Sequence, residues 1–167
     1  MAQTDASTYG FALDKAQAGQ KVDLTYDQVE SFAAEGAIEM GFGVVAGTDP
    51  AKQVAAATAD TETFVGIAAF THKQEQGFDQ SVAFGNQSST GAEYRDGDTV
   101  NVLRKGRVWV EATNDGVAVG DAAYIDVTTV GEEGKFTSTA LDNLATGGVF
   151  RTAGDTGELV VVELNLP

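Results

Sequence analysis

Twenty glycines divide this chain of 167 residues into short runs rich in Val, Ile, Thr, Phe and Tyr, and only two prolines, Pro50 and Pro167, occur. Glycine costs a helix interior about 1 kcal/mol relative to alanine, and it is the natural residue of tight turns. A chain divided in this way favours many short strands over long helices. The best helical spacing lies in residues 26–40, where Val29, Phe32 and Ala33 share a face. Gly36 interrupts it, so at most a turn or two of helix is expected there.

The strand pattern is clearer. Residues 21–26 alternate, with Val22, Leu24 and Tyr26 on one side. Residues 43–46 form a short apolar run, Thr48-Asp49-Pro50 is a turn signal, and residues 53–57 follow it. Residues 63–70 read as a buried strand and residues 81–84 as a shorter one. Residues 98–104 and 107–112 place Val100 and Val102, then Val108 and Val110, on one face; with Lys105-Gly106 as the turn, the pattern predicts a hairpin. Residues 122–127 and 135–137 flank the glycine-bearing turn from Gly131 to Gly134. A last hairpin is expected between residues 148–152 and 158–165.

About ten short strands in one chain predict an all-β fold, a compact β-barrel or β-sandwich with little helix. The Gly-Asp pairs before Thr99 and Ala122 read as repeated turn chemistry and not as a duplication. Residues 1–20 have few large apolar side chains and are expected to form an extended N-terminal arm on a single β-rich domain of residues 21–167. Residues 85–96 are polar and are expected to form a surface loop. A chain of this length buries roughly 70% of its unfolded surface, so it requires no metal or disulfide to hold a core.

Composition narrows the function. There is no cysteine, hence no disulfide framework and no thiol nucleophile. Residues 1–10 lack the basic and apolar regions of a secretory signal, and no apolar run approaches a membrane span, so a soluble chain outside the usual export route is expected. The formal net charge of −15 repels phosphate backbones and anionic lipid, which argues against nucleic acid and membrane as partners.

Reactive constellations are sparse. His72 is the only histidine and sits in the polar stretch Thr71-His72-Lys73, where a solvated imidazole is expected in place of a triad member or zinc ligand. The glycines of Gly41-Phe42-Gly43-Val44-Val45-Ala46-Gly47 are not followed by a helix, so they suggest a strand with close backbone packing and not a phosphate loop. Asp96 with Asp98, and Glu132 with Glu133, lie in glycine turns where carboxylates are easily solvated. No catalytic, cofactor-binding or metal site is assigned, and no cofactor is expected. Trp109, the single tryptophan, lies opposite Val108 and Val110; it is either a partly exposed interface anchor or covered by another layer.

Several segments resemble a known family. Ser31-Phe32-Ala33-Ala34-Glu35-Gly36-Ala37-Ile38-Glu39 runs into Gly43-Val44-Val45-Ala46-Gly47-Thr48-Asp49-Pro50. Phe64-Val65-Gly66-Ile67-Ala68 and Val102-Leu103-Arg104-Lys105-Gly106-Arg107-Val108-Trp109-Val110 follow, and then Gly148-Val149-Phe150-Arg151-Thr152 before Leu159-Val160-Val161-Val162-Glu163-Leu164. Their order from about Asp27 onward resembles the structural cement, or head decoration, proteins of tailed bacteriophages. The resemblance implies a β-rich, non-enzymatic protein, usually a homotrimer, made in the host bacterial cytoplasm and found in the virion. It implies a seat on the outer capsid surface, at seams between major capsid protein subunits, where the protein stabilises the head against internal DNA pressure. It carries over no catalytic residues.

Two other readings compete. A carbohydrate-binding β-sandwich on a virion surface requires exposed aromatics, for which Trp109, Tyr94 and Tyr124 are the candidates. An all-β enzyme using carboxylates requires a buried acid with a raised pKa.

Overall fold

Hydrogen-bond pairing turns the glycine-divided runs into eleven strands among the described residues of the computed structural model, which are 16–23, 26–70 and 93–167. They are β1 (Gln28–Ala34), β2 (Ile38–Glu39), β3 (Gly43–Ala46), β4 (Gln53–Ala56), β5 (Phe64–Ala68), β6 (Glu93–Tyr94), β7 (Thr99–Glu111), β8 (Ala122–Ile125), β9 (Phe136–Thr137), β10 (Leu144–Phe150) and β11 (Leu159–Asn165). No helix forms among the described residues.

Five strands close into a barrel in the order β1-β4-β3-β5-β7, with β7 returning to β1. Only the β1–β4 contact is parallel. The first core contains Ala34, Val44, Val54, Ala68, Val100 and Val102 from these strands. The separate β2–β6 ribbon adds Ile38 and Tyr94 to it. Beyond Lys105, β7 pairs with β11, and the sheet continues through β10 and β8 to β9. A second core lies between this sheet and other residues of the barrel strands: Val45, Ile67 and Leu103 meet Val108, Val110, Ile125, Phe136, Phe150, Val160 and Val162. Each fully buried Val, Ile or Phe contributes roughly 1.5–3 kcal/mol.

Strand β7 serves both cores, and this overturns the expected hairpin. Lys105-Gly106 is not a turn; the strand runs through it for 13 residues. Val100 and Val102 face the first core, whereas Leu103, Val108 and Val110 face the second. The two-residue period therefore slips once. Gln28 stands opposite Lys105 and Val29 opposite Leu103, so Arg104 is the extra residue of a bulge. Gly106 lies just beyond it at φ 128°, a conformation that side chains rarely adopt.

The helical turn expected in residues 26–40 is replaced by β1 and β2, because six β1 residues pair with β7 over residues 99–105 and pairing outweighs local propensity. Of the strand expected in residues 21–26, the described residues show one bridge, Lys21 to Val108, and Tyr26 stands in the left-handed region at φ 62°; residues 24–25 lie outside the described residues. The expected 85–96 loop ends in β6, and Tyr94 is fully buried. Residues 81–84, 85–92 and 1–15 lie outside the described residues. Residues 16–20 are bonded to the sheet: Gly19 N–H donates to the Trp109 carbonyl at 2.7 Å, and Trp109 N–H to that of Gln20 at 2.9 Å.

Runs 43–46, 53–57 and 63–70 become β3, β4 and β5, and the final hairpin becomes β10–β11. Gly43 explains the close packing read from the glycine-rich segment. Its backbone abuts the buried Ile125 of the facing sheet so closely that a Cβ there would lie 2.0 Å from Ile125 Cδ1.

Candidate interaction surface

The acidic turns are structural closures. Asp96 Oδ1 accepts from Gly36 N–H at 2.9 Å, and Asp98 Oδ2 from Arg95 N–H at 2.8 Å. Glu133 accepts from Gly131 N–H at 2.7 Å, and Glu132 pairs with Lys135 at 2.7 Å. No cluster of three or more His, Asp or Glu side chains suited to a metal occurs among the described residues. His72 lies outside them.

The carbohydrate reading loses one of its three aromatics. Tyr94 is a core residue, and its hydroxyl donates to the Ala69 carbonyl at 2.6 Å. Trp109 and Tyr124 are half-buried. Trp109 lies across from the buried Val161, with residues 19–20 along its other edge.

Cations are held by neighbouring acids. Glu163 takes Arg107 at 2.7 Å and Arg151 at 3.0 Å, and these two guanidinium groups hold its carboxyl down at about 2. Arg104 reaches Glu30 at 3.0 Å and the Pro167 carbonyl at 3.0 Å. Lys135 is shared by Glu111 and Glu132. Lys21 and Lys52 pair with Asp27 and Asp49. Six of the eight cations among the described residues are matched in this way, and the net charge of −15 leaves acids in excess on the exterior.

Among the described residues, the large apolar side chains left exposed are Val22, Tyr26, Val29, Val119, Val130 and Leu141. Two of them ride on adjoining loops at one sheet end. Ile125, the last residue of β8, pairs with Leu144, the first of β10, so the loop leaving β8 and the loop entering β10 emerge side by side. Asn143 joins them: its Oδ1 accepts from Val127 N–H at 3.1 Å and its Nδ2 donates to the Thr139 carbonyl at 3.0 Å. Asp126 anchors the first loop from within. It accepts from the N–H groups of Thr128 and Thr129 at 3.0 and 2.9 Å and from the Thr113 hydroxyl at 2.8 Å. Burial pushes the Asp126 carboxyl up, but these donors outweigh burial and hold it below its ordinary value.

The family model described as "Structural cement protein (E217 gp24/Pam3 gp6)" matches residues 5–165. The chain belongs to the structural cement protein family. The resemblance read from the segment order is thereby established, and with it a structural role in a phage capsid. Among solved structures, a chain from "The capsid of Myoviridae Phage XM1" superposes with a TM-score of 0.70 at 19% identity, covering 90% of each chain. This cement protein therefore shares a whole fold with that chain. No curated protein matches.

Sequence reasoning singled out Trp109 and the turn acids of this cement protein but missed Val130 and Leu141. The available signal was an aliphatic residue in each of two loops otherwise rich in Thr, Ser, Gly, Asp and Glu.

Proposed function

We propose that this cement protein is a non-enzymatic decoration protein of the outer surface of a tailed-phage head, seated as a homotrimer at seams between major capsid subunits. The observation that carries the reading is the family match over residues 5–165. The engagement of Asp96 and Asp98 in turns, and of Arg107, Arg151 and Glu163 in ion pairs, is consistent with it. A protein that binds the assembled shell but not its separated parts stabilises the shell by mass action, opposing the outward push of packed DNA. Three modest contacts on one trimer reinforce one another through effective concentration. An acidic exterior keeps decorated particles apart from one another and from released DNA.

Residues 1–15 precede the segment bonded to Trp109, and we assign them to contact with a neighbouring subunit. Their removal is expected to weaken shell binding while leaving thermal unfolding of the domain unchanged.

The test uses purified heads from a strain lacking the protein, with and without the protein added back. Added protein is expected to bind as a trimer, measured by mass, and to raise the temperature at which heads release DNA. Heads that bind none of it and open at the same temperature would refute the reading.

A further inference from the structure

We infer that the paired loops carrying Val130 and Leu141 are the seat of this protein on its partner, and that the partner is a protein surface offering an apolar socket with a basic rim. The inference rests on the proposed function only in taking that surface to be the assembled shell.

Val130 is 93% exposed and Leu141 75% exposed, so neither contributes to a core. Both ride on anchored loops. Asp126, only 4% exposed, fixes the start of the Val130 loop through Thr128 and Thr129, and Asn143 ties that loop to the one bearing Leu141. Further bonds close the tips: Glu132 N–H donates to the Thr129 carbonyl at 3.0 Å and Gly131 N–H to Glu133 at 2.7 Å. Asp142, next to Leu141, is held in the left-handed region at φ 54°. Two aliphatic side chains are thus presented on pre-ordered backbone. Little ordering entropy remains to be lost when they dock, which is what a contact residue requires and a solvated loop does not.

Charge identifies the occupant. The two loops, residues 126–135 and 138–143, carry four acids (Asp126, Glu132, Glu133 and Asp142) and one base, Lys135. Lys135 is already bonded to Glu111 and Glu132. The rim beside the two aliphatics, Glu133 and Asp142, is therefore uniformly negative. A second copy would bring the same acids to the contact, and anionic lipid or nucleic acid would be repelled. A socket rimmed by Lys or Arg is the complement.

The test measures co-sedimentation with purified heads from a strain lacking the protein. It compares the wild type, the double variant Val130→Asp/Leu141→Asp, the milder Val130→Ser/Leu141→Ser, the rim variant Glu133→Gln/Asp142→Asn, and Val119→Asp. Val119 is an exposed control at the opposite end of β8. Thermal unfolding and solution mass are recorded for each, and the Ser variant serves if the Asp variant does not fold. We expect the wild type to bind, with affinity falling as salt rises. We expect the Val130/Leu141 variants to lose about tenfold or more, the rim variant to lose most of the salt dependence, and Val119→Asp to bind like the wild type. A folded Val130/Leu141 variant that binds like the wild type would overturn the inference and leave the proposed function standing. So would an equal loss from Val119→Asp, or a change of oligomer mass in the Val130/Leu141 variants, which would make the seat a self-contact. Failure of the wild type itself to bind would remove the proposed function and this inference together.

Discussion

Gly43 and Ile125 occupy a space with room for only one side chain: a Cβ on Gly43 would stand 2.0 Å from Ile125 Cδ1 and 2.6 Å from Cγ1. Ile125 is fully buried, so it has nowhere to retreat. Gly43→Ala should destabilise the protein by about 1–3 kcal/mol, the usual range for overpacking. Ile125→Val removes Cδ1, so in the Gly43→Ala background it should cost less than it does alone. Urea unfolding of the two single variants and the double variant measures that coupling, expected at about 1 kcal/mol. Strict additivity would mean the two residues do not compete for space.

Gly106 makes a different demand. At φ 128°, any side chain is strained, and a Cβ would also approach that of Asp27 to 3.2 Å. Gly106→Ala should lower stability by at least about 1 kcal/mol. Because β7 borders both cores, hydrogen exchange should rise in the barrel and in the β10–β11 sheet alike. A rise confined to one side would show that the cores unfold separately.

Glu163 sets an acid dependence. Its carboxyl is held at about 2, against an ordinary 4.5, by hydrogen bonds and attraction from Arg151 and Arg107. A lowered carboxyl stabilises the fold fully above its unfolded value, and the contribution is lost as pH falls through the folded value. Glu163→Gln should therefore lower the melting temperature at neutral pH, by about 1 kcal/mol of stability for a partly exposed network. The difference from wild type should vanish toward about pH 2, and melting curves across that range check it.

Glu39 works in the opposite sense. Burial raises its carboxyl, and Glu93, Glu111 and Glu132 add to the rise against the pull of Lys135. The ionised form is disfavoured in the fold, so this cost is present above the shifted value and absent below the ordinary 4.5. Glu39→Gln should raise the melting temperature at about pH 8 and leave it unchanged at about pH 4. Equal effects at both pH values would point to packing as the cause.

Much of the fold was legible because alternation and turn chemistry agree. Runs 43–46 and 63–70, and the β10–β11 hairpin, follow from period-two patterns bounded by glycine. The reading failed where partners decide. Residues 28–34 carry Val29, Phe32 and Ala33 at helical spacing, yet β7 captures the segment as a strand. At Lys105-Gly106, two valine blocks flanking a glycine imitate a hairpin. The adjacent buried pair Val102 and Leu103 was the available clue, since no simple strand buries both faces in turn without two separate cores. Tyr94 was unreadable, because its burial depends on β2 and on the Ala69 carbonyl, both remote in sequence. The contact residues were legible only in part. Exposure of Val130 and Leu141 follows from the folding of their loops, and a sequence pattern does not distinguish a presented aliphatic from a buried one.

A single backbone borders barrel and sheet without a linker between them. Tension applied at the loops beyond β8 therefore reaches the barrel through paired strands and covalent bonds, with no hinge to yield first. Load on one half is thus passed to the other along β7 itself.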